Sequence, residues 1–336
     1  MSISIQDIAA KLNVSTSTVS KALNGYTDVS VKTRELVMQT AHDMGYQPSA
    51  AARNLRRGRT DKVGLFLNTQ IEYVSDYLSG IIPGAVTTSQ ELGKNLPIYT
   101  MTANDPNQLL KVCRAGEIDG VILFSTHYDS QTIDTLLKDK FPFVVMGREI
   151  QDKRVSYVIP DYYDASYQAV KYLVELGHKR IAFTTRPELT TANTARFQGY
   201  LDALSDAGVT IDKQLIIETK IEPNSGVKPA ETLLALDTLP TAIIAFHDLI
   251  AVDIIRVLQA NGVRIPEDIS VIGGDGLRAG FMTTPHITTI SQPLAFIGHR
   301  VIEIINQHIE NPDQPATQEI VPIELIIRQS TGECLS

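Results

Sequence analysis

The chain has 336 residues, of which 43% are hydrophobic and 20% charged, a composition typical of folded globular proteins rather than disordered or fibrous ones. Because single hydrophobic cores stop growing near ~250–300 residues, this length predicts two or three domains. The longest apolar runs, such as 63–67 and 120–124, fall far short of the ~18–20 residues that cross a membrane, so we expect a soluble chain without a membrane partner.

The cysteines and the N-terminus both indicate a cytoplasmic protein. Cys113 and Cys334 are the only cysteines, and they lack the spacing of a zinc site and the density of a disulfide framework. The first residues show no basic start, apolar stretch and small-residue cleavage site, so no secretory signal is expected.

Charge divides the chain unequally. The formal net charge is −8, yet residues 1–62 hold nine Lys and Arg against five Asp and Glu, a balance of +4 that leaves −12 on the rest. A small basic region joined to a large acidic one indicates a head that meets a polyanion and a body with a different role.

The start of the chain predicts two short helices joined by a tight turn. Ser4 caps a helix over residues 5–12, and Asp7 lies in its first turn, where the helix dipole favours a negative charge. Asn13 tolerates the left-handed backbone that a tight turn needs, and a second apolar series begins at Val14. This pattern is typical of a helix-turn-helix.

A third helix is predicted to follow the first two. It runs from its cap, Ser30, to about Met44, and Gly45 is its stop. The residues expected to face inward are Val31, Leu36, Val37, Ala41 and Met44.

The exposed side of the second helix carries short hydroxyl groups and one cation. Thr16, Ser17, Ser20 and Lys21 suit contacts with phosphates and base edges in a major groove. The alternative is a three-helix cap that only packs on the body, since polar clusters are often plain solvated surface.

The segment 51–60, AARNLRRGRT, places one leucine among four arginines. Pro48 breaks the chain before it, and Ser49 is placed to cap a short helix that ends at Gly58. Because a helix of about nine residues is marginal alone in water, this one should need a partner to fold.

From residue 62 onward, apolar runs alternate with amphipathic stretches such as 163–177. Continuous apolar runs indicate parallel strands covered on both faces, so the body is predicted to be α/β with doubly wound parallel sheets. The length of this region favours two lobes over one. The predicted strands are 63–67, 97–102, 120–124, 143–146, 156–159, 180–185, 215–221, 242–246 and 269–274.

The sequence resembles the LacI/GalR family of bacterial transcription regulators over the run QDIAAKLNVSTSTVSKALNG and the following VSVKTRELVMQTAHDMGYQPSAAARNLRRGRTDKVGLF. The resemblance implies a helix-turn-helix, a third helix and a hinge helix of the pattern Y-x-P-S-A-x-A-R-x-L. It implies further that the hinge helices of two subunits pair in the minor groove and that each inserts a leucine between base pairs. Leu55 occupies that position.

The physical chemistry of the hinge segment agrees with this role. An apolar wedge costs unstacking energy, which the contacts of the bent DNA offset, and the neighbouring arginines neutralise phosphates. A solvated basic linker with a stray leucine is the alternative. The residues expected to contact DNA are Thr16, Ser17, Thr18, Ser20, Lys21, Asn24, Ser30, Thr33, Tyr46, Ser49, Ala52, Arg53, Leu55 and Arg56.

The body resembles the periplasmic-binding-protein-like core of the same regulators, so the resemblance covers essentially the whole chain. It implies two lobes that exchange strands, lobe 1 at about 62–160 and 292–321 and lobe 2 at about 161–291 and 322–336. The expected domains are a helix-turn-helix domain at 1–47, a hinge helix and linker at 48–61, and an effector-binding and dimerisation domain at 62–336. The landmarks are IDGVILF (118–124), GHKRIAF (177–183), RFQGYLDAL (196–204), AFHDLIA (245–251) and ISVIGGDG (269–276).

In open α/β lobes ligands bind outside the carboxyl ends of the strands. By the resemblance, Arg196 and Asp275 contact effectors, and a guanidinium and a carboxylate suit the adjacent hydroxyls of a sugar. The two could instead form a structural salt bridge, and His247 could be a buried core residue. The candidate effector-binding residues are Tyr73, Asp76, Tyr77, Phe124, Arg148, Asp161, Asn193, Arg196, Ile221, His247 and Asp275.

Two departures from the family bear on the effector. Gly147 stands where relatives often have Asp, and Ile221 stands where several have a stacking aromatic residue. The loss of that aromatic residue argues against a purine base and favours a sugar, one that is acidic or phosphorylated if Arg148 points inward. A nucleobase and a phosphorylated sugar stay as alternatives.

No catalytic or cofactor-binding motif occurs in the sequence, so we expect neither an enzyme, nor a cofactor, nor a metal site. The expected function is a homodimeric DNA-binding regulator, a repressor, that binds pseudo-palindromic double-stranded operator DNA under the control of a small carbohydrate effector. Its expected location is the bacterial cytoplasm, at the nucleoid. The alternative is a sugar-binding protein without a DNA function.

Overall fold

The structure is a computed structural model that describes residues 3–46, 58–67, 75–100, 107–124, 130–187, 190–220 and 222–335, without the side chains of residues 75 and 76. The chain forms two compact units, Met1–Thr60 and Asp61–Ser336. We call the first unit the head and the second the body.

The described helices of the head are those that the sequence predicts. They are α1 Ile5–Leu12, α2 Thr16–Leu23 and α3 Val31–Asp43. Their caps are confirmed: Ser4 and Asp7 form a reciprocal capping box, Asn13 is left-handed with φ 52°, and Ser30 caps α3. The core that joins the three helices is Ile8, Ala9, Val19, Ala22, Val29, Val37 and Ala41.

The prediction for the inner face of α3 was wrong at two positions. Val31 and Leu36 are exposed, at 68% and 54%. The buried residues of this helix are Val37, Thr40 and Ala41. Because a head of three short helices offers only a small core, it covers one narrow stripe of α3 and leaves the neighbouring apolar side chains in solvent.

The body alternates strands with helices. Its described helices are α4 Ser75–Glu91, α5 Gln108–Arg114, α6 Ser130–Lys138, α7 Tyr162–Glu175, α8 Thr191–Asp206, α9 Val227–Leu234, α10 Asp248–Ala260 and α11 Leu294–Glu310. Its described strands are β1 Val63–Leu67, β2 Ile98–Thr100, β3 Gly120–Phe124, β4 Phe143–Met146, β5 Ser156–Pro160, β6 Ile181–Thr185, β7 Ile216–Glu218, β8 Ala242–Ile244, β9 Ser270–Asp275, β10 Thr288–Ser291, β11 Gln318–Val321 and β12 Glu324–Ile326.

The strands form two six-stranded sheets, one in each lobe. Lobe 1 has the order β11-β5-β4-β3-β1-β2, and all of its strand pairs are parallel. Lobe 2 has the order β12-β10-β9-β8-β6-β7, and only the pair of β10 and β12 is antiparallel. Helices cover both faces of each sheet, as buried parallel strands require.

The chain passes between the lobes three times. The first crossing follows β5, the second lies between β10 and α11, and the third separates β11 from β12. Because α11 packs on the sheet of lobe 1 shortly after β10 of lobe 2, Gln292 and Pro293, the two residues between them, lie at a crossing.

All nine predicted strands occur, with ends shifted by up to three residues. Three strands were missed, namely β10, β11 and β12. Their sequences, TTIS, QEIV and ELI, are short and partly polar, and β11 and β12 are sheet edges, so they lack the continuous apolar run that marks a central strand.

Candidate DNA-binding surface and ligand cleft

The second helix of the head presents a short polar face. Ser15 caps it by accepting the N–H of Thr18 at 3.0 Å, while Val19 and Ala22 are buried against the other helices. Thr16 and Ser17 are exposed and Ser20 is half-buried on the remaining side. The exposed hydroxyls at the start of a capped helix are placed to meet phosphate oxygens and base edges.

Lys21 has a partner that the sequence did not suggest. Its Nζ lies 2.5 Å from Oδ2 of Asp28, and both side chains are about half exposed. The hydrogen bond from Lys21 holds the pKa of Asp28 below its usual value. An ion pair in solvent is weak, so a phosphate can replace Asp28 as the partner of Lys21.

Four other head candidates have structural roles. Thr18 and Thr33 each bond to the serine that caps their helix, with oxygen to oxygen distances of 2.8 Å, and Asn24 closes the end of α2. Tyr46 packs against the head core. These residues hold the helix ends in place whether or not they also touch DNA.

Part of the predicted site lies outside the described residues. From the hinge segment these are Ser49, Ala52, Arg53, Leu55 and Arg56, and from the body they are Tyr73, Ile221 and the side chain of Asp76.

The cleft of the body is built around the carboxylate of Asp275, at the end of β9. Its Oδ1 lies 3.2 Å from Nη2 of Arg196 and also accepts a hydrogen bond from Gln292, and its Oδ2 lies 3.1 Å from Nε2 of His247. Nδ1 of His247 accepts the N–H of Leu249, so the ring proton sits on Nε2 and points at Asp275. The structure thus brings together three predicted residues and adds Gln292.

The guanidinium of Arg196 is fixed by a backbone carbonyl and by two aromatic rings. Its Nη1 donates to the carbonyl of Phe246 at 2.6 Å, and its guanidinium lies over the rings of Tyr162 and Phe246, at 4.6 and 4.4 Å from the centroids. Stacking on both rings fixes the orientation of the planar guanidinium and its N–H donors, and its positive charge is attracted to the ring faces. Tyr162 is a residue of this site that sequence reasoning missed.

Lobe 1 reaches the same network through Tyr77. Its hydroxyl donates to Oε1 of Gln292 at 3.0 Å, and its ring stacks on Phe124 at 5.7 Å between centroids. Burial, together with the nearby Tyr162 and Asp275, raises the pKa of Tyr77 well above its ordinary value, so the hydroxyl stays protonated and donates. Tyr77, Gln292 and Asp275 therefore form a hydrogen-bonded chain that joins the lobes.

The backbone at Asp275 is strained. Its φ is 91°, a conformation that side-chain-bearing residues rarely adopt and that clusters at functional sites. The following turn is anchored by buried Asp248, whose Oδ2 accepts the N–H of Leu277 at 2.5 Å and whose Oδ1 accepts the hydroxyl of Thr289 at 2.6 Å. Asp248 therefore holds the turn after Asp275 in place, and sequence reasoning did not identify it. Burial raises the pKa of Asp248 to about 7.

A small cavity of about 120 Å³ lies where the two lobes meet, and of the remaining candidates Asp161 lines it. Asp161 also caps α7 by accepting the N–H of Asp164 at 3.0 Å. Arg148 is half-buried between two lining residues, and Asn193 is buried in the first turn of α8. Both lobes supply the lining residues, which are Gly147, Glu149, Ile159, Pro160, Asp161, Tyr162, Tyr163, Thr191, Ala192, Ala195 and Ile320.

Within the described part of the chain, no cluster of three or more His, Cys, Asp or Glu side chains is arranged to hold a metal ion. The helices of that part also include none with the length and hydropathy of a membrane span.

A capped helix-turn-helix joined in one chain to a two-lobed α/β body with a polar cleft defines a class of bacterial DNA-binding regulators. Family comparison agrees for both parts: residues 4–49 match the bacterial regulatory proteins of the lacI family, and residues 170–331 match the periplasmic binding protein-like domain.

Full-length relatives extend this agreement. The chain is 30% identical to the HTH-type transcriptional repressor PurR of Pasteurella multocida, over 97% of the chain and 98% of the relative. It is 32% identical to the HTH-type transcriptional regulator CelR of Thermobifida fusca, over 97% of each. A solved complex of CelR with cellobiose covers 98% of the chain and 99% of its own, with a TM-score of 0.75 and 29% identity.

The chain belongs to the LacI family of bacterial regulatory proteins. It is a DNA-binding transcriptional regulator, and the prediction that it is not an enzyme is confirmed by the family and its relatives.

Proposed function

We propose that this regulator is a homodimeric repressor that binds pseudo-palindromic operator DNA and responds to a small carbohydrate bound between its lobes. The observation that carries the proposal is the network of Arg196, Asp275 and His247, joined to Tyr77 of lobe 1 through Gln292. A ligand that enters this network contacts both lobes, so it can favour one lobe arrangement over another.

The chemistry of the network favours a polyol. The Asp275 carboxylate, the Arg196 fork and the Gln292 amide offer alternating acceptors and donors, the arrangement that adjacent sugar hydroxyls match. One face of the Phe246 ring and one of the Tyr162 ring are covered by the Arg196 guanidinium, so those faces are closed to a stacking nucleobase. The cellobiose complex of a relative supports the same class of ligand.

A nucleobase is the second candidate, because several relatives of about 30% identity are named PurR. A thermal-shift series with cellobiose, ribose, glucose 6-phosphate and hypoxanthine separates the candidates, since a ligand at 100 times its dissociation constant adds about 2.7 kcal/mol to stability. Stabilisation by a neutral sugar supports the proposal. Stabilisation by hypoxanthine alone, or by the phosphorylated sugar alone, contradicts it.

On the DNA side, α2 would read the major groove with Thr16, Ser17, Ser20 and Lys21, and the Leu55 segment would enter the minor groove. The capped start of α2 and its exposed hydroxyls support this assignment. Selection of duplexes from a random pool by the full-length chain tests it. Enrichment of a two-fold symmetric sequence supports the assignment, and enrichment of unrelated sequences contradicts it.

The homodimer is supported by an apolar patch on lobe 2. Phe281, Met282 and Ile327 are exposed at 55%, 85% and 57%, and Arg328 lies over the Phe281 ring at 3.8 Å. Exposed apolar side chains in such a group are typical of an interface. Met282→Asp should shift the chain toward the monomer in sedimentation velocity, while Met38→Asp on the head should not.

We place the protein in the cytoplasm, at the nucleoid, where operator DNA is found.

A further inference from the structure

A buried lysine ties together three separate parts of lobe 1. The side chain of Lys94, just past the end of α4, is 5% exposed. Its Nζ lies 3.1 Å from Oδ1 of Asp61 and 3.7 Å from Oε1 of Glu310, the last residue of α11. Lysines are rarely buried unless they are paired, so these two carboxylates keep the ammonium inside the fold. We call Lys94, Asp61 and Glu310 the root cluster.

Asp61 is the first residue of the body, and the chain before it leads to the head. Its backbone is left-handed, with φ 52°. Its N–H donates to Oδ2 of Asp119 at 2.7 Å, and its carbonyl accepts the N–H of Asn95 at 2.8 Å. Together with the ion pair to Lys94, these bonds fix both the position and the direction of the chain where it enters the body.

Two helices join the root cluster to the ligand cleft. Each of α4 and α11 has 17 residues, so each spans about 25 Å. At one end Tyr77 of α4 bonds to Gln292, two residues before α11, and at the other end Lys94 meets Glu310. The two helices therefore run side by side in the same direction, from the cleft to the root cluster.

The two helices are packed backbone to backbone. A Cβ on Gly84 would lie 1.8 Å from the carbonyl oxygen of Ala295, and one on Gly298 would lie 2.2 Å from that of Ile81. Further along, Oγ1 of Thr88 bonds to Nδ1 of His299 at 2.7 Å. Contacts this close leave little room for sliding, so a displacement at the cleft end is carried to the root cluster.

We propose that the root cluster is a positioning device that sets the direction in which each hinge segment leaves the body, and that the α4 and α11 pair connects it to the ligand cleft. The inference rests on the proposed homodimer, because direction matters only when two heads must reach two half-sites at a fixed distance. Loosening the root cluster should let the heads reach half-sites at other distances.

The test measures how strictly the full-length protein selects half-site spacing. Fluorescently labelled duplexes carry the half-sites selected from the random pool, with the central spacer unchanged or changed by one or two base pairs, and affinity is read by anisotropy. Asp61→Asn removes the charge and keeps a residue that tolerates the left-handed backbone, and Lys94→Met removes the ammonium and keeps the apolar stem. Arg300→Met is the matched control, because it breaks the ion pair between α11 and Glu319 of β11, away from the root cluster.

The wild type and Arg300→Met should prefer one spacing by about tenfold or more, whereas Asp61→Asn should prefer it by less than about threefold. Thermal unfolding shows whether each variant is folded, and if Lys94→Met fails to fold, Asp61→Asn decides alone. A folded Asp61→Asn that keeps the full wild-type preference overturns the inference and leaves the proposed function intact. If the wild type binds all spacings with equal affinity, the proposal that the two heads of a homodimer bind two half-sites is wrong, and the inference that rests on it is wrong as well.

Discussion

The candidate DNA-binding surface and the ligand cleft carry polar side chains in opposite states. On α2, Thr16 and Ser17 are exposed, and Lys21 pairs with Asp28 in solvent. In the cleft, Asp275 is buried and Arg196 is largely buried, and the two side chains pair with each other. DNA would therefore add hydrogen-bond partners to side chains that are exposed to solvent. A ligand in the cleft would instead have to replace or join hydrogen bonds that the protein makes with itself. We expect mutations in the cleft to alter stability and binding together, and mutations of the exposed groups on α2 and of the hinge segment to alter DNA binding alone.

The strongest test of this contrast is Arg196→Ala. It leaves the buried carboxylate of Asp275 without its guanidinium, and breaking a buried pair in this way typically costs about 3–5 kcal/mol. We expect a loss of that order in the free energy of unfolding, measured with urea, together with loss of the thermal shift given by the effector sugar.

The matched control is Arg180→Ala on the same lobe. Arg180 pairs with Asp212 at 2.6 Å near the surface, where such pairs contribute about 0–1 kcal/mol. If the two variants lower the free energy of unfolding equally, the pair of Arg196 and Asp275 contributes no more to stability than the surface pair of Arg180 and Asp212.

The second test uses pH. Burial raises the pKa of Asp248 to about 7, far above the value near 3.8 of an unfolded aspartate, so the folded protein binds more protons between these values. The contribution of Asp248 to stability is therefore greatest at low pH and is lost as the pH rises from about 4 to 7, by roughly 2–4 kcal/mol. Urea unfolding at pH 5 and pH 8 should show a larger decrease for the wild type than for Asp248→Asn. The same decrease in both proteins would refute this account of Asp248.

The third test addresses the head, where the contrast predicts a change in DNA binding alone. Leu55→Ala should lower operator affinity by about 1–3 kcal/mol and reduce the bend, because the apolar wedge is lost. Stability and the ligand-induced thermal shift should not change. Arg57→Ala, which removes a charge from the same segment, should instead reduce the salt dependence of binding. Unchanged affinity of Leu55→Ala in a shift assay would exclude the wedge.

The smallest expected effect is that of Tyr77→Phe. It removes one hydrogen bond to Gln292 and keeps the ring on Phe124, so ligand affinity should change by only about 0.5–1.5 kcal/mol. Isothermal titration measures the change, and Tyr99→Phe on the far side of the same sheet is the control. An effect as large as that of Arg196→Ala would mean that lobe 1 holds the ligand more strongly than the network in lobe 2.

Local sequence signals predicted the fold well. The caps Ser4 and Ser30, the left-handed Asn13 and the central strands depend on neighbouring residues, so their patterns can be read directly. Val31 and Leu36 show the limit, because their spacing suits a buried face and only the small size of the head core leaves them exposed. The edge strands β11 and β12 depend on pairing with β5 and β10, and the partner of β11 is more than 150 residues away in the sequence, so no short window of sequence contains this pairing.

The candidate site was predicted only in part. Arg196, His247 and Asp275 lie in motifs that point to the cleft, and the structure brings them together. Tyr162, Gln292 and Asp248 were missed because their roles arise from contacts with residues far away in the sequence. A signal for Asp248 was present in part, since a carboxylate at the start of an otherwise apolar helix must find partners when it is buried.

The central claim is that ligand and operator DNA control each other's binding through one protein. Titration of the selected duplex with and without the effector sugar, and of the sugar with and without the duplex, measures this coupling from both sides. The account predicts that the sugar changes operator affinity by about 5–150-fold and that the operator changes sugar affinity by the same factor. A sugar that binds tightly and leaves operator affinity unchanged would contradict it.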